Sequence, residues 1–182
     1  MPAFRWDSVC HGDITAFHIT NKANIDSVRW NSGDGTTSTA PEPLHSFTNP
    51  GSYLVKLTEI SDGGRFTDSA LVTNYPLPKV SLTHTILLYA GSSINLQAGG
   101  GYAGYLWSTG STDSVIPVRD QGSYGVYVKD IHCCLNSDTT YVKVFKYFMP
   151  NVLSPNNNGL NDEFKVTGLY KNIIFKMNIF DR

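Results

Sequence analysis

The chain has 182 residues, a length that suits one large domain or two small ones. Its 14 Lys and Arg nearly balance its 15 Asp and Glu, which argues against nucleic-acid binding through a broad basic surface. Only 16% of the residues are charged and 12% are aromatic, and the chain contains 16 Gly and 9 Pro. This composition favours an all-β extracellular architecture, and no apolar run approaches the length of a membrane span.

Two copies of one strand–loop–strand pattern organise the chain. In the first copy a strand ends in Trp-x-x-Gly at Trp30, and a later Gly-Ser-Tyr strand carries Tyr53. In the second copy Trp107 and Tyr124 stand at the corresponding positions. Strict alternation after each tyrosine places one face of the strand in a core, opposite the tryptophan. The pattern predicts tandem immunoglobulin-like β-sandwiches.

The first copy carries a longer signature. A Trp-Asn-Ser-Gly-Asp-Gly segment begins at Trp30, a Pro-Leu-His-Ser-Phe segment contains His45, and Gly-Ser-Tyr-Leu-Val begins at Gly51. This signature resembles the polycystic-kidney-disease (PKD) repeat. The sequence departs from the family pattern at Asn31, Ser32 and Phe47. The resemblance implies a PKD domain over residues 9–76, preceded by a leader segment at residues 1–8.

The second copy contains Tyr-Leu-Trp-Ser-Thr-Gly from Tyr105 to Gly110. This segment resembles the related PKD/Ig-like repeats of exported bacterial proteins, and the resemblance implies a second domain at residues 77–147. The Tyr-Pro-Leu-Pro segment at residues 75–78 marks the boundary, because its prolines favour an extended spacer.

The segment at residues 148–164 reads Phe-Met-Pro-Asn-Val-Leu-Ser-Pro-Asn-Asn-Asn-Gly-Leu-Asn-Asp-Glu-Phe. It resembles the start of the gliding-motility-associated C-terminal domain, the type B sorting domain of the type IX secretion system, with Leu153 and Asn158 as departures. The resemblance implies a truncated third sandwich at residues 148–182, and export by the type IX machinery to the cell surface or the medium. Residues 1–10 lack the apolar core of a signal peptide, so the chain is interpreted as part of a longer exported protein.

The signature residues are expected to be structural. Glycines flanking an aspartate supply positive φ in a turn, the aspartate accepts hydrogen bonds from turn N–H groups, and a lone histidine beside an aromatic residue is typical of a core. The set comprises Trp30, Gly33, Asp34, Gly35, His45, Tyr53, Trp107, Gly110 and Tyr124.

We find no sequence motif for catalysis, since nucleophile elbows, zinc motifs and phosphate loops are all absent. The prediction is a non-catalytic protein without a cofactor. A weak calcium candidate is the Asn-rich loop of the tail, in which oxygen ligands surround a glycine. Its ligands would be Asn157, Asn158, Asn161 and Asp162.

Three cysteines leave at least one thiol unpaired within the chain. A bridge from Cys10 to Cys133 would reach from one repeat to the other, and a bridge between Cys133 and Cys134 would be strained. A third alternative pairs Cys10 with a residue outside this sequence.

The two function hypotheses are adhesion and spacing. In the first, the chain binds a polysaccharide or a surface protein, and exposed tyrosines stack on sugar rings. The candidate residues for stacking are Tyr102, Tyr105 and Tyr127. In the second, the tandem sandwiches are a ligand-free spacer attached to an upstream secreted hydrolase.

Overall fold

The computed structural model describes residues 3–7, 9–22 and 24–146, and within these ranges the regular structure is entirely β. The predicted all-β class is therefore confirmed. Thirteen strands are present in the described ranges. In chain order they are β1 (Phe4–Trp6), β2 (Thr15–Ile19), β3 (Ser27–Asn31), β4 (Thr37–Ser38), β5 (Leu44–His45), β6 (Gly51–Ser61), β7 (Gly64–Asn74), β8 (Thr85–Tyr89), β9 (Ile94–Gln97), β10 (Gly104–Trp107), β11 (Val115–Val118), β12 (Gly122–Lys129) and β13 (Leu135–Phe145).

The described chain divides into two compact units. The first contains the residues up to 80 together with 101–105 and 127–137, and the second contains the other described residues from 81 onward. The sequence-based boundary near residue 77 lies close to the end of the first continuous segment. The two later segments that join the first unit were not anticipated.

The first unit is built on a three-stranded sheet, β1-β2-β5, and a four-stranded sheet, β4-β3-β6-β7. The long hairpin of β6 and β7 pairs antiparallel from Gly51 and Asn74 to Ser61 and Gly64. Alternate residues of each sheet point inward, so both sheets contribute apolar side chains to one core. The buried members are Phe4, Phe17, Ile19, Val28, Trp30, Phe47, Val55, Leu57 and Val72.

Residues 1–8 are not simply a leader segment. Phe4–Trp6 forms β1 and pairs antiparallel with β2, with Phe4 opposite Ile19 and Trp6 opposite Phe17. The Phe4 side chain is 1% exposed, and its ring meets the Trp30 ring edge-on at a centroid distance of 5.1 Å. The first sandwich therefore begins before residue 9, because its aromatic core needs the Phe4 ring.

Two further sheets have the strand orders β11-β9 and β10-β12-β13-β8. Strand β13 pairs parallel with β8, from Tyr141 opposite Thr85 to Phe145 opposite Tyr89. Inward positions of the second unit are mainly aliphatic around one tryptophan. They include Leu88, Leu96, Trp107, Ile116, Val118, Val126 and Val142.

Candidate functional site

The Gly-Asp-Gly turn of the first repeat is held by the Asp34 carboxylate. Its Oδ1 accepts hydrogen bonds from the Thr36 backbone N–H at 3.0 Å and from the Thr36 hydroxyl at 2.7 Å. Its Oδ2 lies 2.7 Å from Nε2 of His45. Partial burial acts to raise the pKa of the Asp34 carboxyl, but the bonds from Thr36 and His45 outweigh it and hold that pKa below its usual range.

The His45 ring continues this network into the core. It contacts the Phe47 ring edge-on at 4.5 Å, and Phe47 stacks on Tyr53 at 4.3 Å. The side chains of His45 and Asp34 are only 15% and 17% exposed, so little of the pair is open to an incoming molecule. The arrangement joins the Gly-Asp-Gly turn to strand β5.

Gly33 is required by a close backbone approach. It has φ of +83°, and an added Cβ would lie 2.8 Å from the carbonyl oxygen and 2.9 Å from the amide nitrogen of Leu54. The corresponding Gly110 has φ of +86° but open space where its Cβ would be. Both positions favour glycine because φ is positive. Only at Gly33 would a side chain also clash with a neighbouring backbone.

Trp30 and Trp107 are both 2% exposed, but their indole nitrogens differ. The Trp107 Nε1–H donates to the Asp113 carbonyl at 2.8 Å. Among the described residues, Trp30 Nε1 has no hydrogen-bond partner, although it is buried. The Trp30 ring instead packs against Phe4 and against Phe17, which lies 5.4 Å away.

Tyr53 and Tyr124 make the same local contact in the two repeats. The Tyr53 hydroxyl donates to the Asn49 carbonyl at 2.7 Å, and the Tyr124 hydroxyl donates to the Asp120 carbonyl at 2.9 Å. In both cases the acceptor lies four residues earlier, so each tyrosine ties its strand to the preceding loop.

The three tyrosines considered for sugar stacking do not have the same environment. Tyr102 is half-buried, its hydroxyl donates to the Lys79 carbonyl, and its ring meets Tyr105 edge-on at 5.7 Å. Tyr105 is also half-buried. Tyr127 is 59% exposed and lies on the outward face of β12. The Tyr102 ring, which precedes β10, thus packs against the Tyr105 ring on β10, and Tyr127 is the accessible ring of the set.

Cys10 and Cys134 form a disulfide within the first unit, and Cys133 is a free, exposed thiol. The expectation of at least one free thiol is confirmed. The pairing itself was not anticipated: the residues are 124 positions apart, and the alternatives weighed from sequence paired Cys10 with Cys133 or outside the chain. Cys134 lies in the segment 127–137, which belongs to the first unit together with Cys10.

The described part of the chain holds no cluster of three His, Cys, Asp or Glu side chains that could bind a metal ion. The calcium candidates Asn157, Asn158, Asn161 and Asp162 lie outside the described residues, as does the whole sorting-domain segment. In the same described part, no helix has the length and apolar character needed to cross a membrane.

A cleft of about 1050 Å³ opens in the first unit, and its size is typical of ligand sites. Strand β1, the segment after β2 and the turn between β6 and β7 supply its walls. Phe66 is 57% exposed, and Trp6 is half-buried beside Phe4 at a ring distance of 5.9 Å. The charged, amide and large aromatic side chains that line the cleft include Arg5, Trp6, Asn21, Asn24, Glu59, Asp62, Phe66 and Asp68.

Two acids of this cleft occupy inward positions of the sandwich. Glu59 continues the inward face of Val55 and Leu57 along β6, and Asp68 lies opposite Leu57 on β7. The Asp68 carboxylate accepts hydrogen bonds from the backbone N–H groups of Ala3 and Ser69. These bonds lower the pKa of the Asp68 carboxyl, and the bond from Ala3 is the larger cause. Glu59 Oε1 is buried and has no hydrogen-bond partner in the described residues. An acid in this position is costly for folding and is a candidate for function.

The sequence did contain a signal for this cleft. After the inward residues Tyr53, Val55 and Leu57, the next position of the same parity is Glu59, a charged residue where the pattern calls for an apolar one. The predicted tyrosine surface drew on residue type and, for Tyr127, on the outward parity of its strand. The broken alternation was the more specific indication.

Residues 3–73 match the family model of the PKD domain. Similar solved structures include the PKD1 domain of Vibrio cholerae metalloprotease PrtV, which is 29% identical, with a TM-score of 0.36 over 41% of this chain and 94% of that chain. The PKD1 domain of Vibrio anguillarum Epp is 22% identical, with a TM-score of 0.37 over 42% of this chain and 93% of that chain.

The fibronectin(III)-like modules of Clostridium thermocellum CbhA are also similar, at 14% identity and a TM-score of 0.39 over 79% of this chain and 94% of that chain. No curated protein matches the sequence. The match to the PKD domain model covers the first repeat and begins at residue 3.

Proposed function

We propose that this chain is a non-catalytic binding module of an exported bacterial protein, and that it binds its ligand through the cleft of the first unit. The observation that carries the proposal is the cleft itself. It combines an open aromatic ring, Phe66, with an inward-facing carboxylate, Glu59, whose Oε1 lacks a partner. A domain that serves only as a spacer gains nothing from an acid at an inward position, because an apolar residue there stabilises the fold more.

Two observations support export. The Cys10–Cys134 disulfide suits an oxidising compartment outside the cytoplasm. The resemblance of residues 148–164 to a type B sorting domain supports the type IX machinery as the export partner and the outside of the outer membrane as the location. The role we propose there is adhesion, through a polysaccharide or a protein on or near the cell surface.

The test is a binding survey with the full chain. Pull-down and calorimetry would be run against insoluble and soluble polysaccharides and against surface and matrix proteins, with calcium and with a chelator. Loss of binding with the chelator would show that binding needs a divalent cation, for which Asn157, Asn158, Asn161 and Asp162 are the candidate ligands.

Matched variants locate the site. Phe66→Ala removes the exposed ring from the cleft, and Leu71→Ala removes a 63% exposed apolar side chain from another position of the same strand β7. We expect Phe66→Ala to weaken binding at least about tenfold, with little change for Leu71→Ala. Binding that is lost with Tyr102→Ala or Tyr127→Ala but kept with Phe66→Ala would move the site to the tyrosine surface. Absence of binding across the survey would favour the ligand-free spacer.

A further inference from the structure

We infer that the cleft of the first unit binds a positively charged side chain, namely a lysine of a basic segment on a protein partner. The inference rests on the proposed function and names the class of ligand that the cleft selects. It depends on three features of the lining residues: their charge, their aromatic rings and the unpartnered oxygen of Glu59.

The charge of the cleft is negative. Its described lining includes the carboxylates of Glu59, Asp62 and Asp68, and its basic lining residue is Arg5. Acids inside a partly apolar concavity attract a cation more strongly than the same acids on a flat surface, since the low-dielectric walls focus their field. A basic peptide would therefore be drawn to the cleft, and an acidic polysaccharide would be repelled.

The aromatic rings favour an organic cation over a metal ion. Trp6 and Phe66 both line the cleft, and ring faces attract ammonium groups while the methylene stem of a lysine packs on apolar surface. The described residues offer no cluster of three metal-ligating side chains, so the acids of the cleft are not arranged as a metal cage.

Glu59 supplies the specific interaction. Its neighbours across the sheet are Val28 on β3 and Phe66 on β7, and neither side chain can donate a hydrogen bond. A buried carboxylate oxygen without a donor destabilises the free protein. An ammonium group beside Glu59 would supply the missing positive charge after a small shift of the carboxylate, which explains why an acid at this inward position is useful.

The experiment is a fluorescence titration of the full chain with oligolysine and with the same peptide after acetylation of every side-chain amine. Trp6 is the reporter, because it lines the cleft whereas Trp30 and Trp107 are 2% exposed. We expect saturable binding of oligolysine that weakens with added salt, and binding of the acetylated peptide at least about tenfold weaker. Trp6→Phe should abolish the spectral change.

Two variants with the same loss of charge separate the cleft from general attraction. Glu59→Gln is expected to weaken oligolysine binding about tenfold, while Glu42→Gln, an acid that pairs with Lys22 outside the cleft, leaves it within about twofold. A second measurement covers folding: thermal unfolding of Glu59→Gln should occur at the same or a higher temperature than that of the parent, because the substitution removes a carboxylate whose Oε1 is buried without a hydrogen-bond partner in the described residues.

Equal weakening by both variants would overturn the inference, and so would equal binding of the two peptides. A glycan that binds in a Phe66-dependent manner while oligolysine does not would also overturn it, yet would leave the proposed binding function in place. If neither peptide nor any ligand of the survey responds to Phe66→Ala, the proposed function fails together with the inference.

Discussion

Glu59 and Asp130 occupy equivalent positions in the two repeats, each six residues after the tyrosine of a Gly-Ser-Tyr strand. Asp130 follows the end of β12. Its Oδ1 accepts hydrogen bonds from the backbone N–H groups of His132 and Cys134, and both N–O distances are 2.8 Å. Glu59 lies inside β6, which continues to Ser61, and its Oε1 is buried without a partner. The same sequence position thus follows the end of a strand in the second repeat, whereas in the first repeat it lies within a strand and lines the cleft.

The tryptophans differ in a parallel way. In the second repeat the indole N–H of the core tryptophan Trp107 donates a hydrogen bond to the Asp113 carbonyl. Trp30 leaves its indole N–H without a partner and lies among aromatic rings. The second repeat has satisfied its polar groups at both positions, whereas the first retains two unsatisfied ones. The two repeats therefore differ in the hydrogen bonding of the polar groups at these two positions.

The largest difference is expected between Gly33→Ala and Gly110→Ala. The Gly33 substitution combines positive φ with a clash against the Leu54 backbone, and we expect a loss of about 3 kcal/mol or more in the free energy of unfolding. Gly110→Ala meets only the strain of positive φ, about 1 kcal/mol. Urea unfolding of both variants measures the difference, and equal losses would show that the two turns are alike.

Next in size is the difference between Trp30→Phe and Trp107→Phe. Both remove ring volume from a core, but only Trp107→Phe also leaves the Asp113 carbonyl without its donor. We expect Trp107→Phe to cost about 1 kcal/mol more in unfolding free energy than Trp30→Phe. Equal losses, or a larger loss for Trp30→Phe, would contradict this expectation.

The Asp34–His45 pair gives the first repeat an acid-dependent contribution to stability. Folding lowers the pKa of Asp34, so its contribution is complete above the ordinary Asp pKa of about 4 and is lost as the pH falls through the folded-state pKa. We expect Asp34→Asn to lower the unfolding free energy at pH about 7 by up to about 1 kcal/mol and by less at pH about 3. A loss that is constant with pH would show that the carboxylate charge is irrelevant.

The smallest effect should be the same in both repeats. Tyr53→Phe and Tyr124→Phe each remove one hydroxyl that donates to a carbonyl four residues earlier. We expect each to cost about 0.5 to 1 kcal/mol in unfolding free energy. A clear inequality, measured by urea unfolding, would mean that only one tyrosine anchors its loop.

The sequence was most informative where periodicity spans a whole strand. The alternation after Tyr53 and Tyr124 predicted long strands, and the structure has them as β6 and β12. Strand β1 escaped prediction because three residues are too few to show a period. The residue that makes it necessary, Phe4, is recognised only from its contact with the Trp30 ring.

Contacts between distant residues could not be predicted for a different reason. The Cys10–Cys134 bridge joins positions 124 apart, and its feasibility depends on the placement of the segment 127–137. The cleft has the same origin: Trp6, Glu59 and Phe66 come from separate strands and meet only in the folded unit. Of these residues, the sequence pattern indicated Glu59, because a charged residue stands there at an inward position of the alternating strand.

The central claim is that the first unit binds through its cleft, and amide and side-chain chemical-shift mapping of the full chain with oligolysine tests it most directly. We predict shifts at the Trp6 indole, the side-chain amides of Asn21 and Asn24 and the Phe66 ring, with the Tyr127 ring unchanged. Shifts that spread evenly over surface acids, or that concentrate at Tyr127, would contradict the claim.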